Sequence, residues 1–404
     1  MRKQIFISNI FGYANKGDWA LLNSLINLLI KTYGNQTVLY GVCKNPVEQK
    51  KMIPNVIWIK QFGSSERKGL HRKIEIILGY ILGLISYLTY DIFTFNEFTK
   101  KLKKSDFIIA CPGGYLHDAN HSLATNLINL LVCSKNRRAK FIFAPQSIGP
   151  IRYKFYKKTL KFILKKADHV MVREQYSKEF VLEELKIDKT KVESFLDVAF
   201  YDSTVKSFEL EKYSNNSFFS TTLIKWLYPN MSNCNDRYKQ YLILLCKFYN
   251  KIIETYNKDL IVLKQIENYG EDIGDDQIFY DLKKLNLLSN RVKFVEKILD
   301  PYQMKFIISR SHGFIGSRMH SNIFALEKGI PLLAISYQPK TEFIMKSLGL
   351  QDFFVDINYL DFDVMLKKFD QALSNRAKFK EVEKQIQETS DVDTNRFISI
   401  LKNE

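Results

Sequence analysis

Gly313 to Lys340 reads GFIGSRMHSNIFALEKGIPLLAISYQPK, and this stretch decides the fold. Gly313–Ser317 is a short apolar strand, the residues after Arg318 are apolar at helical spacing, and Leu332–Ser336 is a second apolar strand. Pro339 then opens another helix at its first position. Strands apolar on both faces and joined by a helix predict parallel neighbours in a covered sheet.

The alternation extends outward on both sides. Gln4–Ser8 reads as a buried strand, followed by the loop Gly12-Tyr13-Ala14-Asn15-Lys16-Gly17-Asp18, with Asp18 as a helix cap, and a helix through Asn23 to Thr32. Thr37–Tyr40, Val56–Ile59, Asp106–Cys111, Lys140–Ala144 and His169–Val172 read as further strands. Pro112-Gly113-Gly114 and the run Pro145 to Pro150 read as turns at strand ends. The pattern breaks in the polar stretch Phe200–Asn216 and resumes with Ser217–Leu223, Leu260–Lys264 and Val292–Val295. Two domains are therefore expected, 1–205 and 206–376, facing a central cleft, with a charged amphipathic helix in 377–404. Ligands of such sheets sit at the carboxyl ends of the strands.

Composition bounds the function. The 404 residues include 46% apolar and 25% charged side chains, which excludes a disordered or fibrous chain. Sixty Lys and Arg against 43 Asp and Glu leave a net charge of +17, which attracts anionic partners. No aromatic RNA-binding motif or arginine-rich arm accompanies it, so nucleic acid is not an expected partner. Cys43, Cys111, Cys133, Cys234 and Cys246 are odd in number and scattered, which suits a reducing compartment. The apolar N-terminal run is too short for a signal peptide, so a cytoplasmic location is expected. One segment stands apart: residues 74–95, IEIILGYILGLISYLTYDIFTF, are strongly apolar with basic clusters on both flanks. A buried helix, an interfacial helix on an anionic membrane and a membrane span all fit that pattern.

Several motifs fail on inspection. Gly12 to Gly17 lacks the Lys-Ser/Thr pair of a phosphate loop, since Asp18 and Trp19 follow. Pro145-Gln146-Ser147-Ile148-Gly149 lacks the first glycine of a nucleophile elbow. His117 and His121 are spaced as zinc ligands on a helix, but Asp118 stands where Glu should act and no third ligand is evident, so no metal is assigned. What remains is Arg318 and His320 at one helix start and Lys340 at the next. A guanidinium, a near-neutral proton exchanger and an ammonium at adjacent strand ends suit a doubly anionic substrate.

These same residues carry a resemblance. SRMHSNIFALEKGIPLLAISYQPK resembles the C-terminal signature of the polysaccharide pyruvyl transferase family. GYANKGDWALL is similar to that family's opening motif, although Trp19 stands where an acidic residue is common. Cys111-Pro112-Gly113-Gly114-Tyr115-Leu116-His117-Asp118 resembles its glycine turn, with Pro112 for the first glycine, and APQSIGP and VMVREQYS resemble its middle motifs. The resemblance implies two Rossmann-like domains in a GT-B-like arrangement, the first on the acceptor side and the second on the phosphoenolpyruvate side. It implies phosphoenolpyruvate as donor, no cofactor, and a sugar acceptor, lipid-linked or polymeric, that receives pyruvate as a ketal. His320 matches the catalytic histidine, with Arg318 beside it. Arg173, Arg318 and Lys340 match donor-binding cations. Asn15, Asp18, Gly113, Gly114 and Asp118 are assigned to the acceptor. A lipid-linked acceptor would draw the enzyme to the inner face of the cytoplasmic membrane. Two other readings fit the same two-domain plan: a glycosyltransferase using a nucleotide sugar, and a non-enzymatic protein that binds lipid-linked glycans.

Overall fold

A computed structural model describes residues 2–67, 69–207, 217–229, 231–268 and 274–402. It divides into two compact units, the first of residues 1–13, 21–198 and 392–404, the second of residues 14–20 and 199–391. The expected boundary at 205/206 falls several residues beyond the division at Val198/Ala199, and residues 208–216 of the polar stretch lie outside the described ones. The helix Arg376–Lys402 is continuous, and its last turns group with the first unit. There Asp393 accepts from the Leu196 backbone, and the Ile400 and Leu401 carbonyls accept from Lys140 and Tyr33.

In the first unit, among the described residues, eight strands form one parallel sheet. They are β1 Gln4–Ile10, β2 Val38–Cys43, β3 Ile57–Lys60, β4 Phe107–Ala110, β5 Gly113–Leu116, β6 Lys140–Ile148, β7 His169–Val172 and β8 Val192–Ser194. Their order is β3-β2-β1-β4-β6-β7-β8, with β5 added beside β6. Central strands are buried on both faces, as their unbroken apolar runs require. Two of the expected turns are strand instead. Gly113 and Gly114 begin β5, and Pro145 to Ile148 continue β6, because Gln146 is fully buried and its amide donates to the Ala110 and Cys111 carbonyls and the Tyr115 hydroxyl. The turn itself comes only at Gly149-Pro150.

The second unit holds β9 Phe218–Thr222, β10 Asp259–Leu263, β11 Val292–Phe294, β12 Phe314–Gly316, β13 Leu332–Ser336 and β14 Phe354–Asp356, all parallel, in the order β11-β10-β9-β12-β13-β14. This is the doubly wound order, whose direction reverses between β9 and β12. Phe219, Phe248 and Phe369 pack edge to face beneath it, with ring centroids 5.4 and 5.9 Å apart. Asp300 and Gln303 cap the helix Pro301–Ser309 reciprocally, with Pro301 at its first position.

The apolar segment at 74–95 lies mostly in the helix Gly69–Thr89, and it is not a core helix. Within it only Gly83 and Ser86 are buried, whereas Ile81, Leu84 and Leu88 are 50%, 50% and 63% exposed. Among the described residues, no helix is long and apolar enough to cross a membrane.

Candidate active site

The strand pattern of the second unit brings its cations to one sheet edge. Arg318 and His320 follow β12, Lys340 follows β13, and these strands are neighbours in register, Gly316 opposite Ala334. The edge borders the β9/β12 reversal, where open α/β sheets bind ligands. Ser317 N–H donates to the Thr222 carbonyl at 3.0 Å, locking the end of β12 to that of β9. Arg318 precedes the helix Met319–Leu326 with extended backbone (φ −120°, ψ 129°), so the chain turns sharply and lifts His320 onto the first helical turn. His320 and Lys340 are both half-buried.

Arg318 is not a bare cation. It pairs with the fully buried Asp275 at 2.5 Å and reaches the Leu223 carbonyl at 3.4 Å. Burial opposes its charge, yet Asp275 and the Tyr337 hydroxyl hold its pKa above the ordinary value. Asp275 also accepts the Gln265 and Ile266 N–H groups at 2.8 and 2.9 Å. It is thus a fixed anion that orients the guanidinium.

The opening motif of the chain belongs to this same unit. The helix Lys16–Tyr33 starts two residues before Asp18, so Asp18 lies in its first turn and does not cap it. Asn15 does so: its side-chain oxygen accepts from Gly17 N–H at 3.0 Å and from Gln265 Nε2 at 3.3 Å. Asn15 and Asp18 therefore group with the second unit, contrary to their expected place in the first domain. Gly17 lies directly against His320. A Cβ on Gly17 would fall 2.0 Å from Nδ1 of His320 and 2.3 Å from its Cγ. Two motifs three hundred residues apart thus meet at the imidazole, which stands by the N-termini of two helices whose dipoles favour an anion.

Beneath lies an ionic cluster that sequence reasoning missed. Lys16, fully buried, pairs with Glu267 at 2.9 Å, and Lys264 pairs with Glu267 at 3.0 Å and Asp276 at 3.2 Å. Burial pushes the Lys16 pKa down against the pull of Glu267. Burial also works against the charge on Lys264, but Glu267 and Asp276 hold its pKa up. A charge inside a glycine-rich motif, Lys16, was the one available sign. Asn322 was missed too. Its amide is buried with neither side-chain atom hydrogen-bonded, and its signal was a polar residue two positions after His320, where the helix turns apolar.

The remaining predicted residues lie in the first unit. Arg173, at the end of β7 and 3% exposed, donates to Asp197 at 2.5 Å, to Glu174 at 3.0 Å and to Ser147 at 2.8 Å. Its guanidinium is neutralised by two carboxylates within its own unit. Asp118 accepts from the Arg152 N–H at 2.6 Å while its own N–H donates to the Pro150 carbonyl, so it shapes the turn after β6. Gly113, at φ 154°, begins the pairing of β5 with Gln146, and the Gly114 carbonyl is 3.0 Å from Nε2 of His117. Among the described residues, no group of three or more His, Cys, Asp or Glu could hold a metal ion.

Comparison with known proteins places this geometry. The model of the polysaccharide pyruvyl transferase family matches residues 15–339. The amylovoran biosynthesis protein AmsJ of Erwinia amylovora is 22% identical over 390 residues, covering 92% of each chain. Among solved structures, a Listeria monocytogenes protein described as a UDP-N-acetylglucosamine 2-epimerase superposes with a TM-score of 0.65 at 12% identity, over 100% of this chain and 96% of that one. The UDP-GlcNAc 2-epimerase of Methanocaldococcus jannaschii gives 0.59 at 14% identity over the whole of both chains. At such identities the structural likeness carries the fold alone, a GT-B-like pair of parallel α/β sheets.

Proposed function

The chain belongs to the polysaccharide pyruvyl transferase family, and we propose that it moves pyruvate from phosphoenolpyruvate onto two hydroxyls of one sugar in a cell-surface polysaccharide or lipid-linked precursor, releasing phosphate. That it is a transferase of polysaccharide modification follows from the family. The observation that supports the finer reading is the seat of His320, held against Gly17 at the sheet edge that also carries Arg318 and Lys340.

In the proposed reaction the donor methylene carbon gains a proton and becomes a methyl group, leaving the central carbon electrophilic. One sugar hydroxyl adds there and loses its proton. The C–O bond to phosphate breaks, and the second hydroxyl closes the ketal with loss of its own proton. One of the two hydroxyl protons replaces that given to carbon, and the other leaves on phosphate. No electrons are gained or lost overall. His320 serves as the proton-transfer group, since an imidazole can give to carbon and take from a hydroxyl in one cycle. Arg318, oriented by Asp275, and Lys340 balance the carboxylate and phosphate. Arg173 is assigned to the donor by the family pattern, and it must loosen Asp197 or Glu174 to contact an anion.

The nucleotide-sugar reading has the fold in its favour, because the neighbours are described as acting on UDP-GlcNAc. Incubating the protein with a glycan acceptor and either phosphoenolpyruvate or a UDP-sugar separates the two. Acceptor-dependent phosphate release from phosphoenolpyruvate supports pyruvyl transfer. UDP release, with phosphoenolpyruvate inert, overturns it.

A further inference from the structure

The helix Gly69–Thr89 is amphipathic in the reverse sense. Its small residues turn inward: a Cβ on Gly79 would lie 2.5 Å from the Gly63 backbone nitrogen, and one on Gly83 2.7 Å from Cγ1 of Ile128. Asn96 donates to Ser86 at 2.8 Å, and the Tyr80 hydroxyl lies 3.0 Å from Thr125 Oγ1. The opposite face carries nine Leu and Ile side chains from Leu70 to Leu88, exposed between 40% at Leu82 and 70% at Leu70, and Ile92 and Phe93 continue it. At 100° per residue these nine sweep about 160° of the helix, a band whose polar members, His71 and Thr89, stand only at its two ends. Soluble monomers rarely leave so large a contiguous apolar face open.

We propose that this face docks on an anionic membrane surface, with the helix axis lying along the interface. Charge complementarity selects that occupant. From Lys60 to Lys104 the sequence holds nine Lys and Arg against four Asp and Glu. The one carboxylate of the helix, Glu75, is drawn off the apolar band by Lys60 at 2.8 Å and Ser65 at 2.5 Å. Lys73 at one end and Lys100, Lys103 and Lys104 at the other are exposed. Glu97 offsets part of the second group, lying 3.8 Å from Lys100 and 3.7 Å from Lys101, and the basic surplus at the two ends of an apolar band matches phosphate headgroups over acyl chains. A second copy fits less well: a two-fold pairing of these faces would set basic flank against basic flank in either direction. Among the described residues no helix can span a bilayer, so the band lies on the membrane and does not cross it. None of this rests on the pyruvyl-transfer chemistry.

The test is co-sedimentation of the full chain with vesicles of phosphatidylcholine mixed with phosphatidylglycerol, against vesicles of phosphatidylcholine alone, at low and high salt. The expected result is binding to the anionic vesicles that is at least about tenfold weaker without phosphatidylglycerol or at high salt. The triple change Ile81→Gln, Leu84→Gln, Leu88→Gln should abolish it with an unchanged melting temperature. If that variant does not fold, Lys103→Glu with Lys104→Glu, both on exposed side chains, should still weaken binding severalfold. Failure of the native chain to bind anionic vesicles overturns the proposal. So does binding indifferent to lipid charge, or a native dimer that the triple change converts to monomer without any vesicle binding.

Discussion

Replacing Gly17 with Ala adds one methyl group and removes no chemical function, yet it should disable the enzyme. The new Cβ would sit 2.0 Å from Nδ1 of His320, where ordinary contact needs about 3.5 Å, so the ring must retreat by about 1.5 Å. The backbone has no cause to object. Gly17 is in the first turn of a helix, where Ala is favoured over Gly by up to about 1 kcal/mol. Pushing the imidazole off its rotamer costs about 0.5–1.5 kcal/mol in return, so net stability should change by less than about 1 kcal/mol. Catalysis is far more sensitive. A displacement on the order of 1 Å costs roughly a hundredfold in rate, or about 2.7 kcal/mol of transition-state stabilisation. The assay pairs phosphate release from phosphoenolpyruvate, in the presence of acceptor, with a thermal melt. A native-like melt with unchanged turnover would remove His320 from the reaction, because the ring's position would then be irrelevant to the chemistry.

Glu267 holds both Lys16 and Lys264, so Glu267→Gln should lose about 3–5 kcal/mol in urea denaturation, as expected when a buried cation is stranded. Lys16→Met should lose less, since Lys264 still satisfies the carboxylate, and equal losses would contradict the shared-anion arrangement. Lys340→Ala should weaken phosphoenolpyruvate binding by about 1.5–3 kcal/mol in titration calorimetry with little change in melting temperature. Arg173→Ala should instead lower stability by roughly 3–5 kcal/mol, because Asp197 and Glu174 lose their buried partner, and an unchanged melt would dispute that ion pair. The His312 pKa is pushed down to about 4 by burial, with Arg376 and Lys258 adding to it. The unfolded chain therefore binds a proton that the folded one refuses between about pH 6.5 and 4, so this contribution is full above that window and is lost as pH falls through it. Allowing for partial exposure, about 1–2 kcal/mol is at stake. His312→Phe should flatten the stability profile between neutral and mildly acid pH, and an unaltered slope would exclude His312 as its source.

Much of this fold was legible in the sequence because buried parallel strands are apolar runs, and runs such as Ile5–Ser8, Phe107–Ala110 and Leu332–Ser336 show themselves. The losses have local causes. Val192–Ser194 and Phe354–Asp356 are three residues long, too short for a periodicity. Pro145 and Gly149 suggested a turn, yet the strand between them is held by the three hydrogen bonds of one buried glutamine, Gln146. The apolar side chains of the helix at 69–89 form its exposed face, so a reading that turns the apolar face inward misplaces it. The small residues Gly79, Gly83 and Ser86, spaced along one side, were the informative signal. At the site the cations Arg318, His320 and Lys340 were readable from strand-end positions. Their anionic counterparts Asp275 and Glu267 were not, because each is an ordinary acidic residue until the fold brings it to a partner far along the chain. Arg173 was read as a donor ligand from its motif, and only the structure shows two carboxylates already upon it.

In the proposed reaction His320 transfers the proton that turns phosphoenolpyruvate into a ketal donor. The most direct measurement follows a glycan acceptor and phosphoenolpyruvate with native protein and with His320→Ala, recording by proton NMR the new methyl signal on the sugar together with the phosphate released. Equal yields of methyl ketal and phosphate are expected from the native chain, and turnover lower by roughly two to four orders of magnitude from a variant that melts normally. A folded His320→Ala protein that forms the ketal at the native rate would contradict that role of His320.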